Sequence, residues 1–232
     1  MNGHAHHRRP LRLTASLVAL GLTSLPLAGC MTTRMEESKN ARTGIEQGER
    51  IVILEASYHN GNETEDDFVA CVSKTVQKGR KGLSVYPDQV FIDALFPWFE
   101  PRTVPQAAGS LADLLQRPGV SERSEASGVR AIVWVTGDTE RASSGGSLSC
   151  AVAPGGGGCF GLAWWENDSS YEAAIWDIRE GKSAGQVSTD VQGTSVIPAV
   201  IVPVPIIART KAAACKGLAR ELKNFISDSG PL

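Results

Sequence analysis

Few side chains in this chain are suited to chemistry. Of four histidines, His4, His6 and His7 lie in a basic and apolar N-terminal stretch, which leaves His59 as the one imidazole further along. His59 sits in "YHNGNETEDD" near Glu63, Glu65, Asp66 and Asp67. Such a setting suits cation binding or general-base work, because carboxylates favour a protonated or cation-bound neighbour. The same acids also suit the positive end of a helix capped by Asn62 or Thr64. Any Ser-His-acid or Cys-His arrangement would have to use His59. Neither a G-x-S-x-G turn nor an H-E-x-x-H helix accompanies it, and no metal or cofactor is expected. "PGGGGCFG", starting at Pro154, lacks the Gly-Lys-Ser/Thr ending of a phosphate loop and precedes a strand, so it reads as a hairpin tip. Asp93, Glu100, Glu166 and Asp177 show no spacing that selects a pair for glycoside cleavage. Among the tryptophans, Trp134 lies in an apolar run, whereas the adjacent Trp164 and Trp165 must point to opposite faces of a strand. An outward Trp165 beside Trp98 is expected to form a docking surface.

The N-terminus carries a different chemistry. Arg8, Arg9 and Arg12 precede an apolar run from Leu13 to Leu25, and Leu27-Ala28-Gly29 leads into Cys30. This order is that of a secretory signal, and the run is too short to span a bilayer stably. "LAGC" resembles the lipobox of bacterial lipoproteins. The resemblance implies cleavage before Cys30, a thioether-linked diacylglycerol on its sulfur and a further acyl chain, such as palmitate, on its amine. Several chains anchor firmly, since each buried methylene contributes about 0.8 kcal/mol. Met31 in place of an aspartate after the cysteine implies, by the usual sorting rule, an outer-membrane anchor facing the periplasm.

Residues 1–29 hold three arginines and no acid, so the 23 basic and 25 acidic residues of the chain become 20 and 25 after them, a net charge of −5. That balance carries no footprint for nucleic acid and no polybasic patch for anionic lipid. With Cys30 assigned to lipid, Cys71, Cys150, Cys159 and Cys215 form an even set in an oxidising compartment. Three pairings are open. Cys150 and Cys159 flank the flexible "AVAPGGGG", and Cys71 and Cys215 lie on apolar faces of helical patterns. Bonds 71–215 and 150–159 are therefore favoured, with buried free thiols as the alternative.

The elements that must position these groups follow from periodicity. Residues 1–29 read as signal, 30–49 as a polar flexible tether, 50–228 as one α/β domain and 229–232 as a tail. "RIVILEAS" and "RAIVWV" are buried strands, and "LSVYP" is a short one. Helical spacing follows Thr64, Asp88 and "SLADLLQR", with the polar "SERSEAS" after the last. "SLSCAVAP", "CFGLAWWEN", "SYEAAIWDI" and "AGQVSTDVQGT" read as short strands separated by glycine, Asn-Asp and "REGKS" turns. Ala214, Cys215, Leu218, Leu222, Phe225 and Ile226 give the last helix an apolar stripe. The expected fold is α/β, a single domain with a mixed sheet, an antiparallel meander in its second half, and packing helices that include an amphipathic C-terminal one.

In layout, and in "RIVILEAS" and "WDIREGKSAGQV", residues 50–228 resemble the periplasmic domains grouped around the TolB N-terminal domain and the curli-secretion lipoprotein CsgG. The resemblance implies a non-enzymatic envelope lipoprotein that supports assembly or secretion through protein contacts, with other envelope proteins or copies of itself as partners. The chain shows no sign of the long amphipathic hairpins of the secretion channel, so a pore is not expected. The alternative is a periplasmic hydrolase or a protein binding a small ligand or cation through His59 and its acidic loop. "SVIPAVIVPVPIIA" (195–208) is expected to be an extended or edge segment, because Pro198, Pro203 and Pro205 bar a helix and a central strand. Its Val200, Ile201 and Pro203 are expected to contact a partner.

Overall fold

Four consecutive apolar residues, Ile51 to Leu54, run through the middle of strand β2 (Arg50–Glu55), and all four are buried. An uninterrupted apolar run of this kind marks a strand covered on both faces. The computed structural model describes residues 30–41, 43, 45, 49–55, 64–99, 103, 105 and 108–227. These residues form α1 (Asp66–Val76), β3 (Ser84–Tyr86), α2 (Asp88–Ala94), α3 (Ala108–Leu115), α4 (Val120–Ala126), β4 (Val129–Ala153), β5 (Gly156–Asp177), β6 (Lys182–Pro203) and α5 (Thr210–Ser227), preceded by β1 (Met31–Lys39). One six-stranded sheet has the order β1-β6-β5-β4-β2-β3. β2 is parallel to β3 and β4, and every pair from β4 outward to β1 is antiparallel. The fold is therefore the α/β mixed sheet with a meander that composition and periodicity imply.

Alternation divides the sheet into two cores. Odd-numbered Ile51, Ile53, Val133, Val135, Tyr171 and Ile175 pack with α1 and α5. Even-numbered Val52, Leu54, Ile132, Trp134 and Ala174 pack with the layer of α2, α3 and α4. Cys71 of α1 is bonded to Cys215 of α5, so the first and last helices of the domain are joined.

Three expectations are corrected. Met31–Lys39, read as flexible tether, is an edge strand with all nine residues paired to β6. Its polar composition misleads because an edge strand keeps one row of backbone groups and most side chains in water. The four short strands of the meander are parts of three long ones, of 25, 22 and 22 residues. Glycine commonly marks a strand end, yet several glycines here sit inside the ladder. At Gly161, φ is 136° and an added Cβ would lie 2.2 Å from the carbonyl oxygen of Ser147, so only glycine lets β4 and β5 close there. Finally, "SERSEAS" is largely helical as α4, whose Glu122 carboxylate accepts from the amide of Gly119. Residues 1–29, His59, Glu63, Asn62, Glu100 and the tail 229–232 lie outside the described residues.

The acids expected to serve His59 are drawn into the frame instead. Glu65 is the N-cap of α1 and accepts a hydrogen bond from the Tyr171 hydroxyl. Thr64 does not cap that helix, and its hydroxyl donates to the carbonyl of Val135. Asp67 pairs with Lys211 of α5 at 2.7 Å. The Tyr171 hydroxyl also meets Thr139 at 2.8 Å, Thr139 meets Ser169 at 2.9 Å, and Ser169 reaches Thr210 at 2.8 Å. Burial, and then the hydrogen bond to Glu65, hold the Tyr171 phenol well above its ordinary range. A pKa raised on folding stabilises the fold below the unfolded tyrosine pKa, near pH ~10, and that contribution is lost as pH climbs above it. Tyr171→Phe is therefore expected to flatten the fall of the urea midpoint between about pH 9 and 11. An unchanged slope would mean that Tyr171 is not the group responsible.

Candidate functional site

No charged residue occurs from 142 to 165 or from 193 to 208. The fold brings these two stretches together. β2 ends its pairing with β4 at Glu55↔Val135, and β1 meets β6 no further along than Met31↔Gly193. Beyond those points β4, β5 and β6 are, among the described residues, the strands that continue the sheet, here called the arm. It comprises Ser144–Ala153, Gly156–Trp165 and Ser195–Pro203. At about 3.3 Å per residue, the arm is roughly 30 Å long.

Ladder pairing assigns its faces. Trp164 is opposite Gly145 and Val196, Leu162 is opposite Ser147 and Pro198, and Phe160 is opposite Ser149 and Val200. Directly paired residues share a face, so these form one surface. Val200 is 70% exposed, Phe160 68% and Leu162 51%. The Trp164 ring lies over Gly145, where an added Cβ would sit 3.0 Å from the indole. On the opposite face are Trp165, Ala163, Ile197 and Ile201, with the bond between Cys150 and Cys159 closing the hairpin. Ile201 has φ 83°, a left-handed backbone that a β-branched side chain rarely adopts.

The segment 195–208 is in part the edge that its prolines imply. Ser195–Pro203 is the end of β6, paired on one side with β5. The chain then doubles back, with Val196 and Ile206 exchanging backbone hydrogen bonds, Val204 donating to the Pro198 carbonyl and Ala208 donating to the Ser195 hydroxyl. Pro198 is tolerated inside a strand because its missing N–H faces this outer edge.

Cys30 stands at the root of the arm. Its thiol is free and exposed, and its carbonyl accepts from the Thr194 amide at 3.2 Å. Continuing the β1–β6 register by one residue sets Cys30 opposite Thr194, on the face that carries Val196, Trp164, Leu162 and Phe160. Towards the body the same face becomes polar. Glu166 accepts from Ser143, Asp168 from Gln192 and Asp190 from Ser170, while Arg34 pairs with Glu36. These carboxylates are engaged sideways along the sheet, and among the described residues no group of three metal-ligating side chains occurs.

The other residues singled out by type are separated. Trp98 is half-buried in the layer of α2 to α4, beside Arg123, whereas Trp165 lies on the opposite sheet face near Arg141. The shared surface expected of that pair does not form. Asp93 is exposed on α2 and accepts from Gln89, and Asp177 is buried against Arg130. A cleft of about 700 Å³ opens where β2 and β3 end, lined by Glu55, Asp66, Lys74, Tyr86 and Asp88. Reading by residue type missed Phe160 and Leu162, and it chose Trp165 over Trp164 as the outward tryptophan. The spacing of two across Phe160, Leu162 and Trp164, inside a stretch without charge, was the available signal.

No protein-family profile matches the chain, and no curated protein matches it in sequence. Solved structures similar to it include the PelC dodecamer from Paraburkholderia phytofirmans, with a TM-score of 0.35 and 11% identity over 84% of this chain and 97% of that one. The hypothetical protein CT253 from Chlamydia trachomatis has a TM-score of 0.34 and 13% identity, covering 77% of this chain and 98% of that chain. Lipoprotein GNA1162 from Neisseria meningitidis has a TM-score of 0.31 and 16% identity over 78% of this chain and 99% of its own. No helix among the described residues is long and apolar enough to cross a membrane.

Proposed function

We propose that this chain is a lipid-anchored envelope protein that works through contacts and without catalysis, supporting assembly or secretion at the periplasmic face of the outer membrane. The observation that carries this reading is the place of Cys30. The last residue of a lipobox-like "LAGC" is exposed and sits at the root of an uncharged arm, with its carbonyl hydrogen-bonded to the sheet. A site for acyl chains must be accessible to the modifying enzyme and must face the bilayer afterwards, and both demands suit this location. Other envelope proteins, or further copies of the chain, are the proposed partners, meeting the arm at Trp165, Val200, Ile201 and Pro203. Paired disulfides agree with an oxidising compartment.

Cys30→Ala tests the reading. Wild-type protein is expected to incorporate a palmitate analogue and to sediment with membranes. The variant is expected to incorporate none and to remain unprocessed. Equal labelling of the two proteins would overturn the assignment of Cys30.

A further inference from the structure

We infer that the arm is a second membrane contact, bedding the face of Phe160, Leu162, Trp164, Val196, Pro198 and Val200 into the headgroup–acyl boundary of the bilayer that holds the Cys30 lipid. The inference rests on the lipid-anchor reading and adds a surface to it. Four observations carry it.

The first is placement. Cys30 lies opposite Thr194 on the same face, and Val196 and Trp164 come two residues further out along that face. β1 is hydrogen-bonded into the sheet over its whole length, so the anchor cannot drift away from the arm as it would on a flexible tether. Acyl chains entering the bilayer at Cys30 hold this face against the lipid.

The second is polarity. The arm is uncharged on both faces, and its exposed side chains include Phe160, Leu162, Val200, Ile201 and Val202. The boundary is sharp: Glu166 follows directly on the two tryptophans, and Asp168 and Asp190 lie further along the same face. Acidic body and apolar arm divide at the level of Cys30. Trp164, with an apolar ring and one N–H donor, stands on that line, which is where tryptophan prefers to sit in a membrane.

The third concerns the backbone. Among the described residues the outer edge of β4 along the arm has no paired strand, so its N–H and C=O groups are unsatisfied in hydrocarbon. This confines the arm to the interface, where headgroups and water supply partners, instead of a span. The outer edge of β6 is already poor in free donors, through Pro198, Pro203 and Pro205 and through the doubled-back segment that pairs with Val196.

The fourth distinguishes lipid from a second copy. Exposed apolar side chains occupy both faces, with Ile201 and Val152 opposite Val200 and Phe160, and only the near face carries Cys30, so lipid meets the near face and a protein contact is left the far one. Of the partner contacts proposed above, Trp165 and Ile201 lie on the far face, and Val200 turns to the lipid.

The test uses the processed protein, a Cys30→Ala form made without residues 1–29 so that no signal segment reaches the vesicles, and vesicles of phosphatidylethanolamine and phosphatidylglycerol with brominated acyl chains. Trp164 is expected to be quenched in vesicle-bound protein, and Trp164→Phe is expected to remove most of that quenching. Cys30→Ala protein should bind more weakly yet show the same Trp164 quenching at high lipid concentration, because the arm itself meets the lipid. Phe160→Asp with Leu162→Asp in that background should lower vesicle partition by about tenfold or more. Both side chains are exposed, so near-ultraviolet circular dichroism should be unchanged. Vesicle-bound wild type without Trp164 quenching would overturn the arm contact and leave the anchor reading standing. Quenching in a wild type that carries no lipid and binds no better than Cys30→Ala would overturn the anchor and leave the arm contact standing. Crosslinking between the arms of two copies, without quenching, would assign the face to self-association and overturn the inference.

Discussion

Alanine at both Cys71 and Cys215 is expected to lower the free energy of unfolding by about 5 kcal/mol. The bond closes a loop with a sequence separation of 144. Restricting an unfolded chain over a loop of that size is worth about 5 kcal/mol in the chain-entropy account. For a domain of about 200 residues, the loss corresponds to a fall of roughly 10–20 °C in melting temperature. The native state keeps its packing in the variant, because Cys215 is buried among Ala214, Leu218 and the α1 side chains and alanine removes one sulfur there. The consequence reaches the anchor. α5 holds β1 through Arg220 on the Met35 sulfur and through Lys39, which donates to the Phe225 carbonyl. Loosening α5 from α1 therefore loosens the strand that leads from Cys30. Calorimetry under oxidising conditions measures the effect, with reduced wild type as a control. A difference below about 1 kcal/mol would mean that the bond contributes little beyond its neighbours.

Arg130→Met is expected to cost about 3–5 kcal/mol. Arg130 and Asp177 are both buried and form an ion pair between neighbouring strands. The guanidinium also donates to the Thr43 carbonyl at 3.3 Å and lies 3.6 Å from Glu49, so it ties the segment before β2 to the sheet. Removing the cation leaves the Asp177 carboxylate buried, with the amide of Glu180 among its remaining donors. Such an uncompensated charge costs more than the intact pair contributes. Arg130→Met with Asp177→Leu should thus recover much of the loss. Urea unfolding of the two singles and the double closes the cycle. A double as unstable as the sum of its singles would show that the charges are not coupled.

Much of the body was legible because its signals are local. Ile51 to Leu54 and Ala131 to Val135 are apolar runs that only a buried strand explains, and the stripe from Ala214 to Ile226 has helical spacing. The four glycines of "AVAPGGGG" point to a hairpin, which is where β4 turns into β5. The arm was not legible for the opposite reason. Gly145, Gly146 and Gly161 look like punctuation in the sequence, and they are strand residues because β4, β5 and β6 pair across them. The same holds for β1, whose polar residues carry no strand pattern and are ordered by the edge of β6.

The amino-acid order alone determined the lipobox-like ending at Cys30, the even set of four remaining cysteines, the lack of catalytic motifs around His59 and the α/β class. Each of these depends on residue type and short spacing, which need no partner. Tertiary structure decided that Met31–Lys39 is a strand, that Trp98 and Trp165 fall on opposite sides of the sheet, and that Glu65 and Asp67 serve Tyr171 and Lys211. It also decided that two uncharged stretches some 30 residues apart make one surface beside Cys30. Strand register links residues far apart in the chain, and a shift of one position would send Phe160, Leu162 and Trp164 to the other face. No local pattern carries that information, so the face that the arm presents beside Cys30 exists only once β6 has aligned β5 on one side and β1 on the other.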